Sequence, residues 1–184
     1  FGQDGSYSHE AIVNRCNADL ANDLGNLAQR SLSMIYKNCD GAFPQPGPLS
    51  ESDTAFLESV DGLLSSMRED MSALALHKAL ERLWQVIGQG NTYFAAQEPW
   101  VLRKTDPERM ATVLYVTAEA LRQFAILAQP FIPEGAGRLL DALAIDADAR
   151  SFSALGDTNR LAGGGPLDKP QGIFPRLEME EAPA

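Results

Sequence analysis

Apolar and small residues recur every three or four positions along the first forty residues of the chain. This spacing is typical of one face of an amphipathic α-helix. Ser8 can cap the start of such a helix, whereas Gly41 and Pro44 favour its end. The sequence therefore predicts a first helix over residues 8–38. Its inward face is expected to carry Val13, Cys16, Leu20, Leu24, Leu27, Ser31 and Met34.

Further helical segments follow, separated by stretches rich in proline and glycine. The apolar spacing predicts helices that begin near Ser50, Ser72, Asp106 and Pro133. Asp106-Pro107 is a strong start signal, because an acidic cap precedes a proline at the first helical position. Gly88 and Gly90 weaken the helix that begins near Ser72, which otherwise extends to Ala96. Pro99 interrupts the pattern, so residues 97–105 are predicted to form a turn.

The elements together predict an all-α fold, a helix bundle with short loops and almost no strand signal. Residues 8–145 are expected to form the bundle. Residues 146–184 are rich in glycine and proline and are expected to close it as a loop-rich segment. Within that segment Ile173 and Phe174 are the residues that can anchor it to the core.

Composition narrows the classes of function. The chain has 184 residues and a formal net charge of −10, which argues against nucleic-acid binding unless one face is locally basic. It has only two cysteines, Cys16 and Cys39, so we expect a reducing, cytoplasmic setting without a disulfide framework. No apolar run in the sequence approaches the length of a membrane span, and we expect no membrane association.

The sequence carries no motif for catalysis. It lacks a P-loop, a Gly-x-Ser-x-Gly turn and a dinucleotide fingerprint. The two histidines, His9 and His77, do not stand at metal-ligand spacing with the cysteines, so no metal site is predicted. The run GGGPLDKP over residues 163–170 is followed by no helix that could bind phosphate, and we interpret it as a loop.

Two groups of residues could bind a ligand. Asn26 and Arg30 are four residues apart and share one helix face, where they offer donors and a carbonyl acceptor to the edge of an unstacked base. Pro99 precedes Trp100, whose ring could stack on such a base. From spacing alone, a surface Asn–Arg pair and a tryptophan folded into the core are the commoner outcomes, and we assign Trp84 to the core. Positive charge follows Trp100 at Arg103, Lys104 and Arg109.

Four runs of sequence, in order along nearly the whole chain, resemble the anticodon-binding domain of methionyl-tRNA synthetases. They are NADLANDLGNLAQR (17–30), GNTYFAAQEPWVLRK (90–104), FAILAQPFIP (124–133) and GIFPRLE (172–178). The resemblance implies the helix bundle shared by class I aminoacyl-tRNA synthetases. It also implies that Asn26, Arg30, Pro99 and Trp100 bind the anticodon. Asn22, Asn91 and Arg103 are possible secondary RNA contacts by proximity.

The resemblance further implies recognition of the CAU anticodon of initiator and elongator methionine tRNAs, in the cytoplasm and without a role for DNA. The family's ATP-site signatures are absent, so this chain is expected to lack a catalytic site and to hold no cofactor. ATP and Mg²⁺ would serve a catalytic domain before Phe1, to which residues 1–7 would be the connector. The sequence also lacks an oligonucleotide-binding extension after Glu178, which favours a monomeric parent. Two alternatives remain, the corresponding domain of another class I synthetase and a helical bundle that binds protein, which the acidic composition favours.

Overall fold

The computed structural model describes residues 8–178, and the regular structure of these residues is helical. Within this part of the chain the only β pairing is an isolated bridge between Ala42 and Pro166. The predicted all-α bundle is therefore confirmed. The helices are α1 His9–Arg15, a π-helical segment Cys16–Gly25, α2 Asn26–Asn38, α3 Glu51–Asp61, α4 Leu63–Ser72, α5 Leu76–Gln97, α6 Pro99–Thr105, α7 Pro107–Ala128 and α8 Pro133–Ala142. Three single 3-10 turns follow at Ala147–Ala149, Phe152–Ala154 and Asp157–Asn159.

Helix α7 forms the centre of the bundle, because α2, α3, α5, α6 and α8 all pack against it. Almost every side chain from Met110 to Ala128 is buried. By length and composition α7 is the one helix among residues 8–178 that could cross a membrane, but 94% of its apolar window is buried inside the protein. Its apolar character is thus explained by its position in the core.

The predicted first helix contains a ten-residue π-helical segment between α1 and α2. Gly25 ends this segment, and a Cβ atom there would lie 2.7 Å from the carbonyl oxygen of Leu20. Glycine is therefore required for the close approach of the two backbone groups. Because a π-helix advances by more residues per turn than an α-helix, the segment changes the direction in which α2 presents its side chains relative to α1.

The start signals at α3 and α7 act as predicted, whereas the boundary between α4 and α5 does not. Ser50 caps α3 in a capping box with Asp53, and the Asp106 side chain caps α7 by accepting from the Arg109 amide. The sequence predicts that a helix begins near Ser72, but Ser72 is the last residue of α4. The intervening turn has Leu74 at a positive φ of 55°, and no glycine or capping residue marks this turn in the sequence.

The run over residues 163–170 forms a loop that lies beside the start of the α2–α3 connection. The Phe43 amide donates to the Gly165 carbonyl at 2.8 Å, and the Leu167 amide donates to the Gly41 carbonyl at 2.7 Å. These backbone bonds account for the isolated bridge.

The last described residues, 172–178, cross the π-helical segment, and we call them the C-terminal strap. The Phe174 ring lies so close to Gly135 that a Cβ atom there would be 2.6 Å from it, and it also contacts the Gly25 position. Asn17 exchanges two hydrogen bonds with the backbone of Leu177, at 2.9 and 2.8 Å. The strap therefore attaches the end of the described chain to α8 and to the π-helical segment.

A buried network of charged side chains attaches the closing segment, the described residues that follow α8, to α7. The carboxylate of Glu119 is fully buried and pairs with Arg122 at 2.7 Å. It also accepts from the Leu161 amide at 3.0 Å and lies 3.6 Å from Arg160. Arg122 in turn donates to the Ala154 carbonyl at 2.7 Å. One carboxylate thus organises two arginines and the backbone of the segment that follows α8.

Candidate functional site

Helix α2 presents Asn26 and Arg30 on its outer face. Both residues are exposed, whereas Leu27 and Ser31, each one position further along, are fully buried. The two polar side chains are one helical turn apart on the exposed side of α2. Their arrangement on one face agrees with the prediction from spacing.

Trp100 lies in the first turn of α6, and 41% of it is exposed. The prediction of a turn over residues 97–105 was wrong, since these residues include a seven-residue helix with Pro99 at its first position. Proline is tolerated there because its missing N–H would have no partner inside the helix. The break between α5 and α6 is at Glu98, which has a left-handed backbone with φ 45° and ψ 54°. Pro99 itself is buried.

The structure brings the two predicted groups together. The Arg30 guanidinium carbon lies 5.5 Å from the centroid of the Trp100 ring and 5.0 Å from that of Phe94. The centroids of Phe94 and Trp100 are 6.2 Å apart, with the rings inclined at 56°. Cation–π attraction at these distances holds the guanidinium against the aromatic pair. The sequence does not single out Phe94, because it is a buried aromatic residue like others of the core and its contact with Arg30 depends on how distant helices pack.

The three secondary residues differ in their surroundings. Asn22 and Arg103 are exposed, in the π-helical segment and the last turn of α6. Asn91 is half-buried, and its amide donates to the Asp23 carbonyl at 3.2 Å. Asn91 therefore supports the π-helical segment in this structure.

Arg109 does not add to the exposed positive charge near Trp100, contrary to the sequence interpretation. Its guanidinium bonds the fully buried carboxylate of Asp53 with two nitrogens, one at 2.8 Å. Tyr93 donates to the same carboxylate at 2.6 Å, and the Ser50 amide donates at 2.8 Å. Arg103 and Lys104 remain as exposed cations in α6.

These bonds set the protonation of the network. Burial raises the pKa of Asp53, but the hydrogen bonds from Arg109, Tyr93 and Ser50 outweigh burial and lower the pKa from 3.8 to about 2. Burial, together with the bond to Asp53, raises the pKa of Tyr93 well above its ordinary value. Asp53 is therefore ionised and Tyr93 neutral over the whole physiological range.

We expect this network to make the protein less stable in acid. Because the pKa of Asp53 is depressed in the folded state, its contribution is fully present above pH 3.8 and is lost as the pH falls through about 2. The contribution is about 2 kcal/mol. The check is the free energy of unfolding in urea between pH 5 and pH 2, for the wild type and Asp53→Asn. The difference between the two should narrow across that range, with Asp157→Asn as the exposed control. A difference that stays constant with pH would contradict the assignment.

A concave surface outside the predicted site lies between the π-helical segment and α5. It is a cleft of about 320 Å³ with Leu20, Leu80 and Trp84 in its lining and charged groups including Asp19. Trp84 packs against the core but is only half-buried, and its indole N–H donates to the Asp19 carbonyl at 3.1 Å. None of the predicted site residues lines this cleft. Residues 8–178 contain no cluster of three or more His, Cys, Asp or Glu side chains placed to hold a metal ion.

Comparison with known families identifies the domain. Residues 43–184 match the model of the anticodon binding domain of methionyl tRNA ligase. The chain belongs to this family. The matched residues include Pro99 and Trp100 but begin after α2, so Asn26 and Arg30 lie outside the match.

Individual relatives extend the similarity over α2 as well. The methionine–tRNA ligase of Brucella suis is 62% identical over 98% of this chain and 35% of its own length. That of Mycobacterium tuberculosis is 52% identical over 100% of this chain and 36% of its own length. The apo crystal structure of M. tuberculosis methionyl-tRNA synthetase superposes with a TM-score of 0.93, over 97% of this chain and 36% of that one.

The chain thus spans about a third of the length of the curated relatives it matches. The family match to the methionine enzyme does not favour the alternative of an anticodon-binding domain from another class I synthetase. As an anticodon-binding domain of methionyl-tRNA synthetase, the chain has its candidate RNA surface where α2 and α6 meet.

Proposed function

We propose that this anticodon-binding domain reads the CAU anticodon of methionine tRNAs with Asn26, Arg30 and Trp100. The observation that carries the proposal is the contact between Arg30 and Trp100, which come from helices 70 residues apart in sequence. A stacking ring, a forked donor and an amide thus meet on one exposed surface. Single-stranded RNA bases are bound by this combination of side chains.

Each side chain has a separate role in the proposal. The exposed part of Trp100 offers a flat surface on which an unstacked base can lie, and buried Pro99 starts the helix that holds it. Arg30, already held beside that ring, can donate hydrogen bonds to the edge of the stacked base. Asn26, one turn away on α2, can donate and accept at the same edge.

This set of groups favours cytosine over uracil. Cytosine presents two acceptors beside an amino donor, so donors from Arg30 and the carbonyl of Asn26 can be satisfied together. Uracil replaces the amino donor with a carbonyl acceptor and protonates the adjacent ring nitrogen. Both partners would then face groups of the same kind, and unpaired polar groups in a contact are costly.

The net charge of −10 does not oppose this proposal, because binding depends on the local surface. Arg30, Arg103 and Lys104 are exposed on the two helices that form the site. Arg103 and Asn22 are positioned to contact neighbouring phosphates or bases. Asn91 supports the site indirectly, through its bond to the π-helical segment, and would have to give up that bond to contact RNA.

The relatives support a proposal about the longer protein that contains this chain. We propose that the chain is one part of a longer methionine–tRNA ligase that acts in the cytoplasm on initiator and elongator methionine tRNAs, which share the CAU anticodon. Its own catalytic domain would use ATP and Mg²⁺ to attach methionine. Residues 1–7, which would connect the two parts, lie outside the described residues. We expect no DNA or membrane to take part.

The decisive experiment compares two tRNAs. Binding of a methionine tRNA and of the same tRNA with the anticodon cytosine changed to uracil is measured at low salt, for this chain and for the full-length gene product. We expect the full-length protein to prefer the cytosine by about 10- to 100-fold. The isolated chain should show the same preference at weaker affinity, since contacts to the rest of the tRNA are missing.

Equal affinity of the full-length protein for the two tRNAs would overturn the proposal. Binding of neither tRNA by the full-length protein would do so as well, and would return the protein-binding bundle as the better interpretation. Methionylation of the two tRNAs by the full-length protein provides a second measure, in which the uracil-containing tRNA should be the poorer substrate.

A further inference from the structure

The guanidinium of Arg109 links the two ends of the segment that carries Trp100. Gln97 is the last residue of α5, and its side-chain oxygen accepts from Arg109 at 2.5 Å. Arg109 lies in the first turn of α7, immediately after α6. The chain that runs from α5 through α6 to α7 is therefore closed into a loop by a single side-chain bond.

The guanidinium is itself held in a fixed frame. Two of its nitrogens bond the carboxylate of Asp53, which lies fully buried in α3. The amide nitrogen of Gln97 also donates to the Ser52 hydroxyl in α3, at 3.2 Å. Helices α3, α5 and α7 thus meet at Arg109. Gln97 connects this meeting point of three helices to the start of α6.

Helix α6 packs against α7 and has Pro99 buried, but the helix itself is short and its start is weakly capped. It has only seven residues, far fewer than a helix needs for stability of its own. Its cap residue, Glu98, has no side-chain hydrogen bond to the helix and a left-handed backbone that non-glycine residues rarely adopt. The packing of α6 on α7 leaves the direction of its first turn, which carries Trp100, to be set together with what holds the residue before Glu98.

We propose that Gln97, bonded to Arg109, is a positioning residue for anticodon binding. It fixes the direction in which α6 leaves α5 and so holds Trp100 against Phe94 and Arg30 before RNA arrives. Holding the ring in its binding orientation lowers the entropy that binding must otherwise remove. The inference rests on the proposed function, because it assigns a role in the same site.

The test uses Gln97→Leu, which keeps a side chain of similar size but removes both hydrogen-bonding atoms. The Asp53–Arg109 pair is left intact, so the bundle should still fold. We expect the full-length protein to bind methionine tRNA about five- to tenfold more weakly. In a Trp100→Ala background the same substitution should have almost no further effect, because there is no ring left to position.

A second measurement reports the position of Trp100 without RNA. The measurement uses this chain by itself, which has two tryptophans, so in a Trp84→Phe background the fluorescence comes from Trp100 alone. Gln97→Leu should make this fluorescence more accessible to quenching by acrylamide. Gln97→Glu, which keeps an acceptor for Arg109, should restore the protection. Gln85→Leu, at an exposed position on the same helix, is the matched control and should change neither quenching nor affinity.

The outcomes separate this inference from the proposed function. Unchanged quenching in Gln97→Leu would overturn the positioning role, as would a loss of affinity of equal size with and without Trp100. If Gln97→Leu changes the quenching while the wild type does not distinguish cytosine from uracil, the proposed function fails. The positioning of Trp100 by Gln97 would then still stand.

Discussion

Replacing Glu119 by glutamine is expected to destabilise the protein by about 3–5 kcal/mol, the usual cost of removing one partner from a buried ion pair. Glutamine preserves the size of the side chain but not its charge. Arg122, which is nearly fully buried, would then lack its counter-charge inside the bundle. The free energy of unfolding in urea measures the loss. Glu58→Gln, an exposed substitution on α3, should change it by less than about 0.5 kcal/mol.

The same substitution should also have a local effect. Glu119 accepts from the Leu161 amide, and Arg122 donates to the Ala154 carbonyl, so both bonds of the closing segment depend on the pair. Hydrogen exchange at the Leu161 amide should accelerate more than exchange in α2. A substitution that costs as little as Glu58→Gln, with no change in exchange at Leu161, would show that the buried charge is not what holds the segment.

Replacing Trp100 by alanine is expected to weaken binding of methionine tRNA by about 10- to 100-fold, corresponding to a stacking contribution of about 1–3 kcal/mol. Most of the preference for cytosine should disappear with it, because without the ring the base is no longer held at the side chains of Asn26 and Arg30. Competition between the cytosine and uracil tRNAs for the full-length variant measures both effects.

Two controls distinguish stacking from loss of structure. Trp100→Phe keeps a smaller aromatic surface and should bind with intermediate affinity. Trp84→Phe changes the other tryptophan, which lies on the π-helical side of α5, and should leave the preference for cytosine intact. Trp100→Ala with wild-type affinity and an unchanged preference would remove Trp100 from the site.

The apolar spacing predicts most of the fold. Helix α7 follows from its continuous apolar pattern and its Asp106-Pro107 start, and α2 and α8 from their stripes. The π-helical segment could not be predicted, because its apolar positions fit an α-helix almost equally well over ten residues. Helix α6 is not predicted from the sequence because Pro99 interrupts the apolar pattern, although proline is also suited to the first position of a helix.

Some features of the candidate site follow from local spacing in the sequence, and others depend on contacts between distant parts of the chain. That Asn26 and Arg30 share an exposed face follows from helix geometry alone. That Arg30 meets Trp100 depends on the packing of α2 against α5 and α6, which no local spacing determines. Arg109 follows Trp100 closely in sequence, and local spacing therefore predicts that it is one of the exposed cations. It points instead to Asp53, whose buried carboxylate is more than 50 residues away.

The C-terminal strap determines which contacts of the fold a stretching force breaks first. Asn17 and Leu177 are 160 residues apart, and their two hydrogen bonds close nearly the whole described chain into a ring. A stretching force applied between residues 17 and 178 acts first on this pair, since the other contacts of the bundle lie inside the ring. The strap must detach, and the Phe174 ring must leave Gly25 and Gly135, before the force reaches the helices that carry Arg30 and Trp100. The candidate RNA surface is thus shielded from tension on the chain for as long as these two hydrogen bonds hold.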